Sequence, residues 1–235
     1  MMHDAPVTPP LDIVSSMATR DLVAALASSY AAEAGRQVRA HAAGGVDVAR
    51  RVRAGEPFDV VVLARPAIEQ LCVDGKLRSE MCVDLVRSGI AVAVASGRAI
   101  PDVSTEDALK RAVLAARSLG LSTGPSGQHL EKIFERWGIL AELRARIRIP
   151  PPGTAVAAWI AEGSVDLGFQ QHSELANVAG VAIAGPLPDG VQSMTVFTGA
   201  VGVASGDVDG ACKLLGFLAS PAAAGVKRAH LMDPA

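Results

Sequence analysis

Residues 165–175 read Val165-Asp166-Leu167-Gly168-Phe169-Gln170-Gln171-His172-Ser173-Glu174-Leu175. The apolar residues at the start of this stretch predict a short buried strand, and the polar residues at its end predict the start of a helix. Two amide side chains at the carboxyl end of a strand fill a core poorly, but they are well suited to hydrogen-bond a ligand. Open α/β sheets bind their ligands at this end of their strands. The stretch therefore predicts an α/β fold in which Gln170 and Gln171 face a ligand-binding crevice.

Three other segments follow the same order of strand, small polar turn and helix. They are Ser15-Ser16-Met17-Ala18-Thr19-Arg20, Ala42-Ala43-Gly44-Gly45 and Ser122-Thr123-Gly124-Pro125-Ser126-Gly127. Helix N-termini carry partial positive charge and unpaired N–H groups, which favour anions. Each of these turns alone is more often plain turn geometry. Their joint placement after strands predicts one small-anion site, on which helices starting near Thr19, Val46 and Ser126 converge.

The composition limits the possible functions. Half of the 235 residues are hydrophobic, which is enough for one large domain or two smaller lobes. A net charge of -2 argues against a general nucleic-acid binder, and 3% aromatic residues argue against base-stacking or sugar-binding walls. No apolar run reaches the length of a membrane span, which is about 20 residues. We therefore expect neither a nucleic-acid partner nor a membrane span.

The cysteines and the amino-terminal residues bear on the cellular compartment. Cys72, Cys82 and Cys212 have no spacing typical of a zinc site, and we expect no metal and no cofactor. They are predicted to be ordinary small core residues, and a Cys72–Cys82 disulfide is the alternative for an exported protein. Residues 1–10 lack the features of a signal peptide. We therefore expect a cytoplasmic protein as the sequence is written, or a periplasmic one if an export signal has been removed.

Two successive runs of alternating strands and helices predict two α/β lobes with a ligand cleft between them. Mixed, mostly parallel sheets flanked by helices are expected, and the nearly all-apolar Phe58–Ala64 is typical of a central parallel strand. Long apolar strands at about 89–96 and 194–204 are the predicted crossovers. The predicted boundaries are 11–92 plus 196–235 for lobe 1 and 93–195 for lobe 2.

Local signals predict where two helices of the second lobe begin. Ser104 and Asp107 form a pattern close to a capping box, which predicts a helix that runs to Ala116. Ser126 is the predicted N-cap of a helix whose Phe134 and Trp137 lie at core-facing spacing.

The order Ile-Val-Ser-Ser-Met-Ala-Thr at 13–19, followed by Val-Ala-Arg-Arg-Val-Arg-Ala-Gly-Glu-Pro-Phe-Asp-Val-Val-Val-Leu-Ala at 48–64, resembles the type II periplasmic solute-binding proteins. Within that fold the chain is most similar to the periplasmic molybdate-binding proteins and their carboxylate-handling relatives. The likeness covers about Leu11 to the end, including the closing Leu-Ala-Ser-Pro-Ala-Ala and His-Leu-Met-Asp-Pro-Ala. The second half, from 168–175 through 185–188, looks more like a subgroup that includes aconitate isomerase, an enzyme with the binding-protein fold.

The resemblance implies four anion-contacting turns and a strand-end side chain. Together with the strand–turn–helix segments described above, these features predict the ligand-binding residues Ser15, Ser16, Arg20, Gly44, Gly45, Ser126, Gly127, Gly153 and Gln171. Three hydroxyl positions of a molybdate binder are replaced here, by Ala18, by the Gly44–Gly45 pair and by Gln171. Their loss argues against a tetrahedral oxyanion and favours a di- or tricarboxylate.

Arg20 follows the first turn, where its guanidinium could hold a carboxylate with two parallel hydrogen bonds. A solvated surface arginine is an equally good interpretation. His129 and Glu174 are the candidate acid–base residues. The stronger interpretation places His129 on the surface and has Glu174 stabilise the first turn of its helix.

The sequence thus leaves two functions open. The first is binding of a small anion as part of an ABC-type uptake system with a permease partner, or as a cytoplasmic relative of such proteins. The second is isomerisation of a small unsaturated polycarboxylate by proton transfer, so the sequence leaves enzymatic activity undecided.

Overall fold

The computed structural model describes residues 9–151 and 154–235. The first elements are β1 (Leu11–Ser16), α1 (Arg20–Ala34), β2 (Val38–Ala43), α2 (Gly45–Arg53), β3 (Val60–Ala64), α3 (Arg65–Val73), β4 (Leu77–Ser88) and β5 (Ile90–Ala95). Next come α4 (Glu106–Ala115), β6 (Leu119–Leu121), α5 (Pro125–Arg136), α6 (Leu140–Leu143), β7 (Ile147–Arg148), α7 (Val156–Ala161), β8 (Leu167–Gln171), α8 (His172–Leu175) and β9 (Val181–Pro186). The last are β10 (Thr195–Gly202), α9 (Val208–Ala219), α10 (Ala224–Ala229) and β11 (Asp233–Pro234).

The chain divides into two compact units. Unit 1 comprises the described residues up to Val86 together with Phe197–Ala229 and Pro234–Ala235, and unit 2 comprises Arg87–Val196 and His230–Asp233. The chain leaves unit 1 near the end of β4 and returns within β10. Each unit has its own sheet and its own buried core, and the predicted α/β class with mixed, helix-flanked sheets is confirmed.

The sheet of unit 1 has six strands in the order β11-β4-β10-β3-β1-β2. β1 is parallel to both β2 and β3, whereas β10 is antiparallel to β3. Val60, Val61, Val62 and Leu63 of β3 are all buried, which confirms the predicted central strand. Apolar side chains of α2 and α3 pack against β3 in one core cluster. β10 reaches this sheet from unit 2 and not through a βαβ crossover from β3. An antiparallel orientation is therefore possible, because only parallel neighbours need such a crossover.

The sheet of unit 2 has five strands in the order β7-β6-β8-β5-β9. β6 is parallel to β7 and β8, and β5 is antiparallel to β8 and β9. Residues of α5 pack on one face of this sheet, with Phe134 fully buried and Trp137 partly buried against the same cluster. Residues of α7 pack in a second cluster with alanines of β5. Both predicted aromatic core positions are therefore confirmed.

Both predicted helix starts in unit 2 are wrong by one or two residues. Thr105, not Ser104, caps α4: its hydroxyl accepts a hydrogen bond from Ala108 N at 3.1 Å. Ser104 instead donates to Asp102 Oδ1 at 2.7 Å, which forms a local turn before the helix. α5 begins at Pro125, because the fixed φ of proline suits the first helical position. Ser126 therefore lies inside the first turn and is not its cap.

Among the described residues, no helix is long and apolar enough to cross a membrane. Over the same part of the chain, no group of three or more His, Cys, Asp and Glu residues could hold a metal ion.

Candidate functional site

The turn after β1 is lined by three buried hydroxyls. Ser15, Ser16 and Thr19 are all buried. The Ser15 and Thr19 hydroxyls each donate to the carbonyl oxygen of Ser16 at 3.3 Å, and the Ser16 and Thr19 hydroxyls are 3.3 Å apart. Hydroxyl bonds are usually about 2.7–2.8 Å long, so these contacts are weak. The turn therefore keeps buried hydrogen-bonding capacity for a ligand.

The turn after β2 lies beside the turn after β1. In the parallel β1–β2 pair, Ser16 is in register with Ala43, and Gly44 then caps α2. A Cβ added to Gly45 would meet only Leu63 Cδ2, at 3.9 Å, so the second glycine is not required by packing. Unit 1 thus brings the predicted residues Ser15, Ser16, Gly44 and Gly45 together at one edge of its sheet.

Two arginines follow strands of unit 1. Arg20 opens α1, and its guanidinium forms a two-point pair with Asp21, with the Nε–Oδ1 distance at 2.8 Å and the arginine side chain 53% exposed. A ligand carboxylate at this position would therefore compete with Asp21.

Arg65 opens α3 directly after β3, and the sequence analysis missed it. Its guanidinium forms a two-point pair with Asp84, which also accepts from the buried Thr198 hydroxyl at 2.6 Å. β3 is parallel to β1, so Arg65 lies at the same edge of the sheet as Ser16. The signal was present in the sequence, because Arg65 is the first residue after a predicted central strand.

The turn between β6 and α5 in unit 2 is tightly built. The Ser122 and Ser126 hydroxyls are 2.7 Å apart, and Ser122 Oγ accepts from Gly124 N at 3.3 Å. A Cβ added to Gly127 would collide with the carbonyl oxygen of Ser122. Glycine is therefore required at position 127 for the turn to close. The result is a compact turn at the N-terminus of a twelve-residue helix, where anions are favoured.

Gln170 and Gln171 end β8 beside this turn, because β8 is parallel to β6. Both are buried, but they have different partners. Gln170 Oε1 accepts from Ala157 N at 3.1 Å, and its Nε2 donates to Glu174 Oε1 at 2.8 Å. The expectation that Gln170 faces a ligand is therefore wrong: its amide holds the first turn of α7.

Only one of the two polar groups of the Gln171 amide is paired among the described residues. Its Nε2 donates to the Thr195 hydroxyl at 2.8 Å, whereas its Oε1 is buried and has no hydrogen-bond partner in the described part of the chain. A buried unpaired amide oxygen costs about 1–3 kcal/mol. Because a hydroxyl can both donate and accept, turning the amide over would keep the Thr195 bond and expose the NH₂ group instead. Gln171 can therefore offer either an acceptor or a donor.

The acid–base candidates lie in different surroundings. His129 Nε2 is 2.9 Å from the carbonyl oxygen of Val191, so this nitrogen carries the proton and is used structurally. Glu174, in α8, accepts a hydrogen bond from the Gln170 side chain near the end of β8. Burial lowers the pKa of the neighbouring His172, which keeps its imidazole neutral near pH 7. Gly153, the remaining predicted ligand residue, lies outside the described residues.

The sequence profile of the bacterial extracellular solute-binding proteins matches residues 11–231. The chain belongs to this family. This membership agrees with the mixed sheets and the turns that follow parallel strands.

Within the solute-binding protein family and its fold, three similar proteins illustrate the range of ligands. An aconitate isomerase from Pseudomonas sp is 38% identical over 178 residues, which are 75% of this chain and 68% of that protein. The periplasmic molybdate-binding protein of Azotobacter vinelandii superposes with a TM-score of 0.80 at 18% identity, over 94% of this chain and 98% of that one. AgtB of A. tumefaciens R10, solved with agropinic acid, gives 0.76 at 14% identity, over 97% and 84%. At these identities the two solved structures show the fold alone, and they confirm the molybdate-binding-protein-like type II fold expected from the sequence.

Proposed function

We propose that this solute-binding family member binds a small di- or tricarboxylate. The observation that carries the proposal is Gln171, a buried strand-end amide with one open hydrogen-bonding side. Buried polar groups are almost always paired in proteins, so an unpaired one calls for an explanation. A bound ligand that completes the pairing supplies it.

The chemistry of the turns supports a carboxylate over a tetrahedral oxyanion. The resemblance to molybdate binders implies hydroxyls where this chain has Ala18 and Gly44, and a tyrosine where it has Gln171. Loss of these donors weakens a site that must surround a small tetrahedral oxyanion with hydrogen-bond donors on all sides. A planar carboxylate needs two donors side by side, which the backbone N–H groups at a helix N-terminus or an arginine can supply. The 38% identical relative, named for a tricarboxylate, supports the same ligand class.

A thermal-shift screen tests this proposal. Citrate, cis-aconitate and trans-aconitate are compared with molybdate, tungstate and sulfate at equal ionic strength. A ligand present at about 100 times its Kd stabilises the native state by roughly 2.7 kcal/mol, or about 5–10 °C for a protein of this size. We expect such shifts for at least one polycarboxylate. Strong shifts with molybdate or tungstate, together with silence from every carboxylate, would contradict the proposal.

The second candidate function is isomerisation of an unsaturated polycarboxylate, and the aconitate isomerase relative is what favours it. The reaction moves one proton from one carbon to another and shifts the double bond, so no atom is gained or lost. It requires a base that is unprotonated at working pH, and burial favours that form of His172 because it lowers the pKa. Proton NMR of cis- and trans-aconitate in heavy water tests it. Interconversion with deuterium uptake at carbon supports isomerase activity. Unchanged spectra at high protein concentration support a protein that binds its ligand without converting it.

The two proposed functions imply different partners and different cellular compartments. A solute-binding protein of an uptake system would act in the periplasm and dock on an ABC-type permease, whereas an isomerase needs neither. Fractionation of the source bacterium, followed by immunoblotting, separates these cases.

A further inference from the structure

Two of the three cysteines of the chain are close together in unit 1. Cys72 lies in the last turn of α3 and Cys82 in β4, and their Sγ atoms are 3.6 Å apart. Both are free thiols. Cys72 is partly buried against the core of unit 1, whereas Cys82 is exposed. The sequence-based expectation of ordinary core cysteines is therefore wrong for Cys82.

The connection between the two cysteines is held firmly. Backbone hydrogen bonds close the turn after α3: Asp74 N to Gln70 O, Gly75 N to Cys72 O and Lys76 N to Leu71 O, each 2.9 Å long. Arg53 Nε also binds the Asp74 carboxylate at 2.7 Å. These bonds fix the turn that follows Cys72, and the two sulfurs must approach each other by about 1.6 Å to reach the length of a disulfide bond.

We propose that Cys72 and Cys82 form a modification site, at which a small-molecule disulfide converts the two thiols into one intramolecular disulfide. The thiolate of one cysteine attacks the reagent RSSR and releases one RSH, which leaves that cysteine joined to R. The other cysteine then attacks the sulfur of the first and releases the second RSH. The two cysteines lose two electrons and two protons, and the reagent gains both. This inference rests on the thiol geometry alone and is independent of the proposed function.

The pH controls the rate of cross-linking. Cys82 is exposed as a residue, but partial desolvation of its thiol, followed by the hydrogen bond and the charge interaction with Cys72, raises the pKa of Cys82 to about 12. Only the thiolate is nucleophilic, so the rate of cross-linking should rise with pH.

The compartment decides which form of the pair is present. Oxidising compartments such as the bacterial periplasm favour disulfides, whereas the cytosolic glutathione pool keeps thiols reduced. The site would be cross-linked in an exported solute-binding protein and reduced in a cytoplasmic relative. A disulfide that closes a loop of this length restricts the unfolded chain and should raise the Tm by about 5–10 °C.

Oxidised glutathione tests the proposal on the full chain. After incubation near pH 8, we expect the free-thiol count to fall from three to one. Trypsin should release peptides 54–76 and 79–87 joined by a disulfide, two hydrogens lighter than their sum. The Tm should rise, and dithiothreitol should reverse both changes.

Two variants provide controls. Cys82→Ser should stop at a glutathione adduct on Cys72, with no cross-linked peptide and no rise in Tm. Cys212→Ser should cross-link like the parent protein, because Cys212 contacts Met81 Sδ at 3.5 Å and has no cysteine partner in the described part of the chain. Separate glutathione adducts on Cys72 and Cys82, disulfide-linked dimers, or three unreacted thiols in the parent protein would each overturn the proposal.

Discussion

Replacing Gln171 by leucine should lower ligand affinity without appreciably lowering the stability of the unliganded protein. The substitution keeps the approximate volume of a side chain that is 3% exposed, and it removes both amide groups. Gln171 ends β8, so its backbone hydrogen bonds to β5 are not affected.

The magnitude follows from the partners of the amide. The hydrogen bond to the Thr195 hydroxyl is worth about 0.5–1.5 kcal/mol, and its loss destabilises the variant. Removal of the buried, unpaired Oε1 relieves a penalty of about 1–3 kcal/mol. The two effects oppose one another, and the net result lies between a loss of about 0.5 kcal/mol and a gain of about 2.5 kcal/mol, so the unliganded Tm should not fall by more than about 2 °C. A hydrogen bond to a charged ligand contributes about 1.5–3 kcal/mol, so the Kd should rise roughly 10- to 150-fold.

Gln170→Leu is the matched control, one residue away in the same strand. Both of its amide groups are already used, by Ala157 N and by Glu174. Its loss leaves the Ala157 N–H without the Gln170 acceptor and removes one hydrogen bond to Glu174, which should destabilise the unliganded protein by about 2–4 kcal/mol with little direct effect on ligand contacts. Calorimetry with the best polycarboxylate and urea unfolding of both variants measure the two quantities. If Gln171→Leu proves the less stable variant and keeps full affinity, Gln171 is architectural and the reasoning fails.

Three further predictions concern other residues. Gly127→Ala should destabilise the protein by about 1–3 kcal/mol and weaken binding, because the new Cβ collides with a backbone carbonyl. Gly45→Ala should be neutral or stabilising by up to about 1 kcal/mol, and urea unfolding measures the stability of both variants. Arg20→Ala should raise the polycarboxylate Kd about tenfold, or ~1.4 kcal/mol, and unchanged affinity by calorimetry would assign Arg20 to the surface. The hydrogen bond from Arg117 is the largest cause that holds the pKa of Asp166 below its usual 3.8, so the ionised form of this mostly buried carboxylate stabilises the fold above that pH. Asp166→Asn should therefore be less stable than the parent protein at pH 7, and the difference should shrink as the pH falls below about 4; a constant difference between pH 7 and pH 3 would exclude this linkage.

The sequence predicted the α/β class well because apolar runs and punctuating turns are local signals. The predicted central strand Phe58–Ala64 became β3. β4 and β9 were not predicted, because neither has a regular pattern of apolar residues. β4 mixes buried, partly buried and exposed residues without strict alternation, and no residue of β9 is fully buried. Strands of this kind are fixed by their neighbours in the sheet and not by their own periodicity.

The site shows the same division between local and non-local information. Positions such as Ser16, the last residue of β1, and Gly127, in the first turn of α5, could be found because each lies where a strand passes through a short turn into a helix. The separate roles of Gln170 and Gln171 could not, because they depend on partners distant in sequence, Ala157 and Thr195. Strand alternation places the two amides on opposite faces of the sheet, but it does not say which face carries the ligand.

The two proposed functions share one set of binding contacts and differ in a single requirement. A binding protein gains from every group that attracts the anion in its resting state. An isomerase needs in addition a base that comes within hydrogen-bonding distance of a carbon-bound proton and is unprotonated when the substrate arrives. His172 follows Gln171 directly, and burial lowers its pKa. Burial favours the unprotonated imidazole, which is the form in which a base accepts a proton, so His172 is the residue on which the isomerase proposal depends.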